Sequence, residues 1–153
     1  MLEPSGARTR VLVVANRTAA GPALIEAVRE RAERDPAIFT LLVPATAHGL
    51  HQVVDPEEQS ASEAEEVIEE ALPRLEEAAG GEVDGLVGAP EPLAAIQDAV
   101  NLHGFDELII STLPSHVSRW LHLDLPRKAA GLGLPVTTVT AKGGRPQRTA
   151  SIR

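Results

Sequence analysis

The side chains best suited to bind something cluster in one stretch, Ser111 to Arg119 (STLPSHVSR), where the hydroxyls of Ser111, Thr112, Ser115 and Ser118 precede the guanidinium of Arg119. Hydroxyls donate and accept, and a guanidinium presents a planar fork of donors that matches a carboxylate or phosphate. Such a loop suits a small anion or a polar ligand. A second polar turn, Asn16-Arg17-Thr18, follows the apolar run Val11 to Ala15, and Asn16 and Thr18 complete the candidate set. The plainer alternative is that these groups satisfy the backbone of tight loops.

Nothing in the sequence supplies a reaction. There is no nucleophile elbow, no P-loop and no dinucleotide fingerprint, and no base is placed to activate any of the serines. No catalytic residue is assigned. His48 and His51 stand near Asp55, Glu57 and Glu58, a set of metal-ligating types, but no predicted helix puts them on one face and no metal is assigned. His116 and His122 flank Arg119 and Trp120 and are read as solvent-facing or locally bonded. The glutamates between Glu63 and Glu77 form a solvated helix face, not paired catalytic carboxylates.

The loops need elements to hold them. Val11 to Ala15, Ile38 to Val43, Val83 to Gly88, Asp106 to Ser111 and Val136 to Thr140 are short apolar runs of the kind expected for strands covered on both faces. Between them lie helical patterns: Pro22 to Arg34, a glutamate-rich helix opened by a Ser62/Glu65 capping box, Pro92 to Gly104, and a short helix near Pro126. Pro73 should kink or divide the second of these. Alternating strands and helices predict an α/β domain with a five-stranded parallel sheet, helices on both faces, and a flavodoxin-like or Rossmann-like order. In such a sheet ligands sit beyond the carboxyl ends of the strands, where both polar loops fall. The stretch Pro44 to Gln59 has no period and exceeds an ordinary connection; His48 to Asp55 within it is a candidate protein-binding loop.

Composition narrows the partners. The 153 residues suit one domain, expected over 10–141, with a disordered start at 1–9 and a basic, disordered tail at 142–153. The chain lacks cysteine and carries a net charge of −8; the tail holds Lys142, Arg145, Arg148 and Arg153 without acids, leaving about −12 on the rest. That balance repels nucleic-acid backbones, and two Phe and one Trp make no stacking platform. No apolar run reaches membrane-spanning length, and the opening MLEPSGARTR lacks the apolar centre of a secretory signal, so the cytoplasm is expected.

The element order, the long excursion after the second strand and the last third of the chain resemble the universal stress protein family. The residues that carry this are Val117-Ser118-Arg119-Trp120-Leu121, Pro126-Arg127-Lys128 and Leu134-Pro135-Val136-Thr137-Thr138-Val139. They stand where members have a Leu-Ser-Arg-Leu-Leu-like run, a short helix with a Glu-Lys pair, and a Cys-Pro-Val-like final strand. The resemblance implies an adenine nucleotide alpha hydrolase-like fold and a homodimer formed through Val136–Thr140, a strand that would otherwise expose an unpaired edge.

In the ATP-binding branch, the fourth strand is followed by Gly, two residues, Gly, nine residues, then Gly with Ser or Thr. Those glycines let backbone amides approach phosphates. Here Ser111 stands for the first glycine, Leu113-Pro114 replaces the second region and Leu123-Asp124 the last pair, while Asn16 replaces the usual acid at the first strand. Asp124, two residues before Pro126, is expected to cap the final helix and set a negative charge at its start. The resulting expectation is a non-enzymatic, stress-associated or regulatory protein that does not hold ATP in the family's usual pose. The alternative is a nucleotide- or anion-binding domain remodelled at Ser111–Arg119, with ATP, AMP or another small anion as ligand.

Overall fold

A computed structural model describes residues 8–45, 56–114, 118–141 and 147–149. Five parallel strands form the centre: β1 (Thr9–Val14), β2 (Ala37–Pro44), β3 (Val83–Gly88), β4 (Glu107–Thr112) and β5 (Val136–Thr140). A sixth, β6 (Gln147–Thr149), closes one side, giving the order β3-β2-β1-β4-β5-β6. The helices are α1 (Pro22–Arg34), α2 (Pro56–Ala79), α3 (Pro92–His103), α4 (Arg119–His122) and α5 (Leu125–Ala130). The expected parallel sheet is present, in the Rossmann-like 3-2-1-4-5 order of the two arrangements considered.

Period-two alternation divides the core into two layers. Val11 and Val13 of β1 face α1 and α2 with Leu24, Val28, Ala71 and Leu75, while Leu12 and Val14 face α3 and α5 with Ile96, Ala99 and Ala129. On the second face the helix approaches so closely that a Cβ built at Gly88 would lie 2.7 Å from Ala95 Cβ and 2.8 Å from Leu42 Cδ1. On the first, a Cβ at Gly85 would lie 2.6 Å from Ile68 Cγ2. The glycines that weaken β3 as a strand are what let helices pack on it.

Four expectations change. α2 is one continuous helix beginning at Pro56, so Ser62 and Glu65 lie within it instead of capping it. A proline followed by Glu57 and Glu58 is itself a favourable start. Pro73 does not divide it: Pro73 and Glu69, whose carbonyl it leaves without its helical donor, are both exposed, and water can serve that carbonyl. The short helix near Pro126 is two helices, α4 and α5. Within the tail, Gln147–Thr149 pairs antiparallel with Val136–Thr138, so β5 is flanked by β6 and is not the outermost strand.

The amino ends of the strands are fastened by ions. Arg31 of α1 is 6% exposed; its Nε and Nη2 donate to Glu107 Oε2 at 2.8 Å and Oε1 at 3.2 Å, and its Nη1 donates to Asp35 Oδ1 at 3.0 Å. Burial acts against the charge, but the two carboxylates outweigh it and Arg31 titrates above its ordinary value. Arg10 donates from Nε to the carbonyl of Gly104 at 2.7 Å and lies 5.2 Å from the centre of the Phe105 ring. None of these contacts reaches the carboxyl ends, where the polar loops lie.

Candidate ligand-binding crevice

Strands β2 and β3 leave β1 on one side and β4 and β5 lie on the other, so the chain changes direction between β1 and β4. At such a switch point the two outgoing loops part and leave a crevice. Here it measures about 550 Å³, within the roughly 300–1,000 Å³ usual for ligand sites. Of the residues expected from sequence, Asn16, Thr18, Ser111, Thr112, Ser118 and Arg119 line it together. Ser115, His116 and the loop His48–Asp55 lie outside the described residues, and no group of three or more metal-ligating side chains occurs among those described.

The hydroxyls have different employments. Successive strand residues face opposite sides, so those of Ser111 and Thr112 diverge. Ser111 Oγ lies 2.6 Å from Thr18 Oγ1, both buried, tying the loop after β1 to the end of β4. Ser118 caps α4, its Oγ accepting from the Leu121 amide at 3.1 Å. For these residues the plain, structural employment is the one observed. Thr112 differs: it is 2% exposed, and its Oγ1 has no hydrogen-bond partner among the described residues. Its backbone carbonyl accepts from the Ala141 amide at 2.8 Å, which fixes the end of β4 at the crevice floor.

The far wall comes largely from residues outside the two polar loops. The turn Pro90-Glu91-Pro92 after β3, half-buried Trp120, Leu113 and Leu123 supply a largely apolar surface. Its signal was positional: α3 leads from β3 to β4 across the face of β2 and β1, which brings its start to the switch point. The exposed guanidiniums of Arg17 and Arg119 stand at the rim without an ion-pair partner among the described residues. Asp124 departs from expectation. It precedes α5 but in the left-handed conformation (φ 60°, ψ 38°), and its side chain makes no capping bond. Its amide donates to the Leu121 carbonyl, closing the turn after α4, and its carboxylate lies 3.8 Å from Arg127 in solvent. It does not line the crevice, so its charge is not part of the lining.

The fold has known counterparts. A universal stress protein from Lactobacillus plantarum superposes with a TM-score of 0.61 at 19% identity, covering 89% of this chain and 99% of the other. One from Archaeoglobus fulgidus gives 0.59 at 19% identity over 88% and 96%. A universal stress protein solved in complex with cAMP gives 0.58 at 14% identity over 89% and 100%. No protein-family model and no curated protein sequence matches the chain.

Proposed function

We propose that this protein, whose fold is that of universal stress proteins, is a non-enzymatic, stress-associated regulatory protein that binds a nucleotide or a comparable small organic anion at the β1/β4 switch point. The observation that carries the reading is Thr112. A buried hydroxyl with no partner among the described residues is costly, and this one belongs to a residue lining the crevice, so a polar group of a ligand can satisfy it. Around it, Trp120 and Leu123 offer a face for a flat apolar body, and Arg17 and Arg119 offer two forks for an anion. That a structural counterpart is solved with cAMP favours a nucleotide. The absence of an activated nucleophile or base from the described lining favours binding without turnover.

The test uses Trp120, the only tryptophan in the chain. Adenine nucleotides titrated into the protein should change its fluorescence saturably. Thr112→Val should weaken that binding about tenfold while making the unliganded protein about 1 kcal/mol more stable, since an isosteric methyl replaces an unsatisfied hydroxyl. Saturation that is unaltered in Thr112→Val would refute the role of Thr112. The same reading includes pairing of two copies through β5, which requires β6 to leave Val136–Thr138.

A further inference from the structure

The helix whose start lines the crevice has that start filled by its own carboxylate. A helix start exposes unsatisfied amides that favour anions. In α3 the first residue, Pro92, has no amide hydrogen; the amide of Ala94 donates to Glu91 Oε1 at 2.8 Å, and that of Ala95 donates to the Glu91 carbonyl at 2.9 Å. Only the Leu93 amide is left in the first turn. Glu91 is itself part of the crevice lining, and in the described lining it is the only acid, sharing it with the cations Arg17 and Arg119.

We infer that Glu91 sets the charge of the ligand, admitting one anionic group held by the arginines and excluding a polyphosphate long enough to reach the start of α3. The inference rests on the crevice reading above and adds a residue and a ligand class to it. One anionic group is served by the arginines. A chain of phosphates running onto the wall at α3 would meet a fixed carboxylate and amides already committed. Replacing the carboxylate by the neutral amide in Glu91→Gln keeps an oxygen for the Ala94 amide and removes only the charge. Replacing it in Glu91→Ala removes both the charge and the cap.

The experiment is calorimetric titration of the full chain and both variants with AMP and with ATP, with chelator present so that phosphate charge is unmasked. The native chain should bind AMP about tenfold more tightly than ATP. Glu91→Gln should bring the two within about threefold by strengthening ATP, leaving AMP within about twofold. Glu91→Ala, if it folds, should show the same convergence, and circular dichroism of both variants reports whether α3 persists. Equal binding of AMP and ATP to the native chain, or parallel changes for both in Glu91→Gln, overturns the inference while leaving the crevice reading intact. Failure of every form to bind either nucleotide overturns both.

Discussion

Replacing Gly88 by alanine should separate α3 from the sheet. The added Cβ would stand 2.7 Å from Ala95 Cβ, and ordinary contact begins near 3.4 Å, so about 0.7 Å must be found. The Leu42 side chain, 2.8 Å away, can shift its terminal methyl, but Ala95 Cβ is fixed to the α3 backbone. The first turn of α3 therefore has to move. Overpacking of this kind costs about 1–3 kcal/mol, or roughly 2–4 °C of melting temperature per kcal/mol for a chain of this size. Gly81→Ala is the internal control: nothing lies within 4 Å of its built Cβ and its φ is not positive, so it should be neutral or stabilise by up to about 1 kcal/mol. Urea denaturation with both variants measures the contrast. Equal stabilities would refute the close-approach argument, and unchanged ligand affinity in Gly88→Ala would refute the claim that α3 forms a wall of the crevice.

Arg31→Met should destabilise by about 3 kcal/mol in urea denaturation, toward the lower end for a broken buried pair because Arg34 remains 4.0 Å from Glu107. Adding Glu107→Gln should recover part of the loss, and no recovery would refute the pairing. Because Arg31 titrates above its ordinary value, its contribution is complete below its unfolded pKa and lost only as pH rises through the folded one. It should therefore add no slope to stability between about pH 6 and 9, checked by comparing native and Arg31→Met curves across that range. Thr18→Val and Ser111→Ala should each cost about 1–3 kcal/mol by orphaning a buried hydroxyl, and the double variant less than their sum; strict additivity would refute the 2.6 Å contact. A chain ended at Ala141 loses β6 and should self-associate more strongly through β5 than the full chain, measured by sedimentation; equal association of the two lengths would refute competition for that edge.

What the sequence disclosed follows from how local each cause is. β5 is visible because all its residues are β-branched, and α1 because Pro22 and the spacing of Leu24, Ala27 and Val28 act within two turns. The start of α2 was missed because Ser62 offers a capping box, while Pro56 and its following acids offer a competing start six residues earlier. Asp124 was misread because its capping chemistry is a property of type, whereas its left-handed backbone is imposed by the turn that ends α4. The crevice residues on β1 and β4 were legible as polar loops after apolar strands. Glu91 was not, because only the crossover of α3 brings the end of β3 within reach of the switch point. Pairings such as Arg31 with Glu107, 76 positions apart, leave no local pattern.

The placement of β1 has a consequence in time. It is synthesised before β2, β3 and β4, yet it lies between β2 and β4, and its register with β4 joins Val11 to Glu107. One of its two neighbouring strands therefore emerges only about 70 residues after β2 begins. Until then the growing polypeptide can build a three-stranded fragment of β1, β2 and β3 whose β1 edge is unpaired, the edge at which the crevice later opens. Such long-range closure is slow relative to local helix formation, and nascent edges invite wrong partners. The crevice and the most exposed moment of folding thus share one seam, and a small molecule that filled the finished crevice would hold that seam shut.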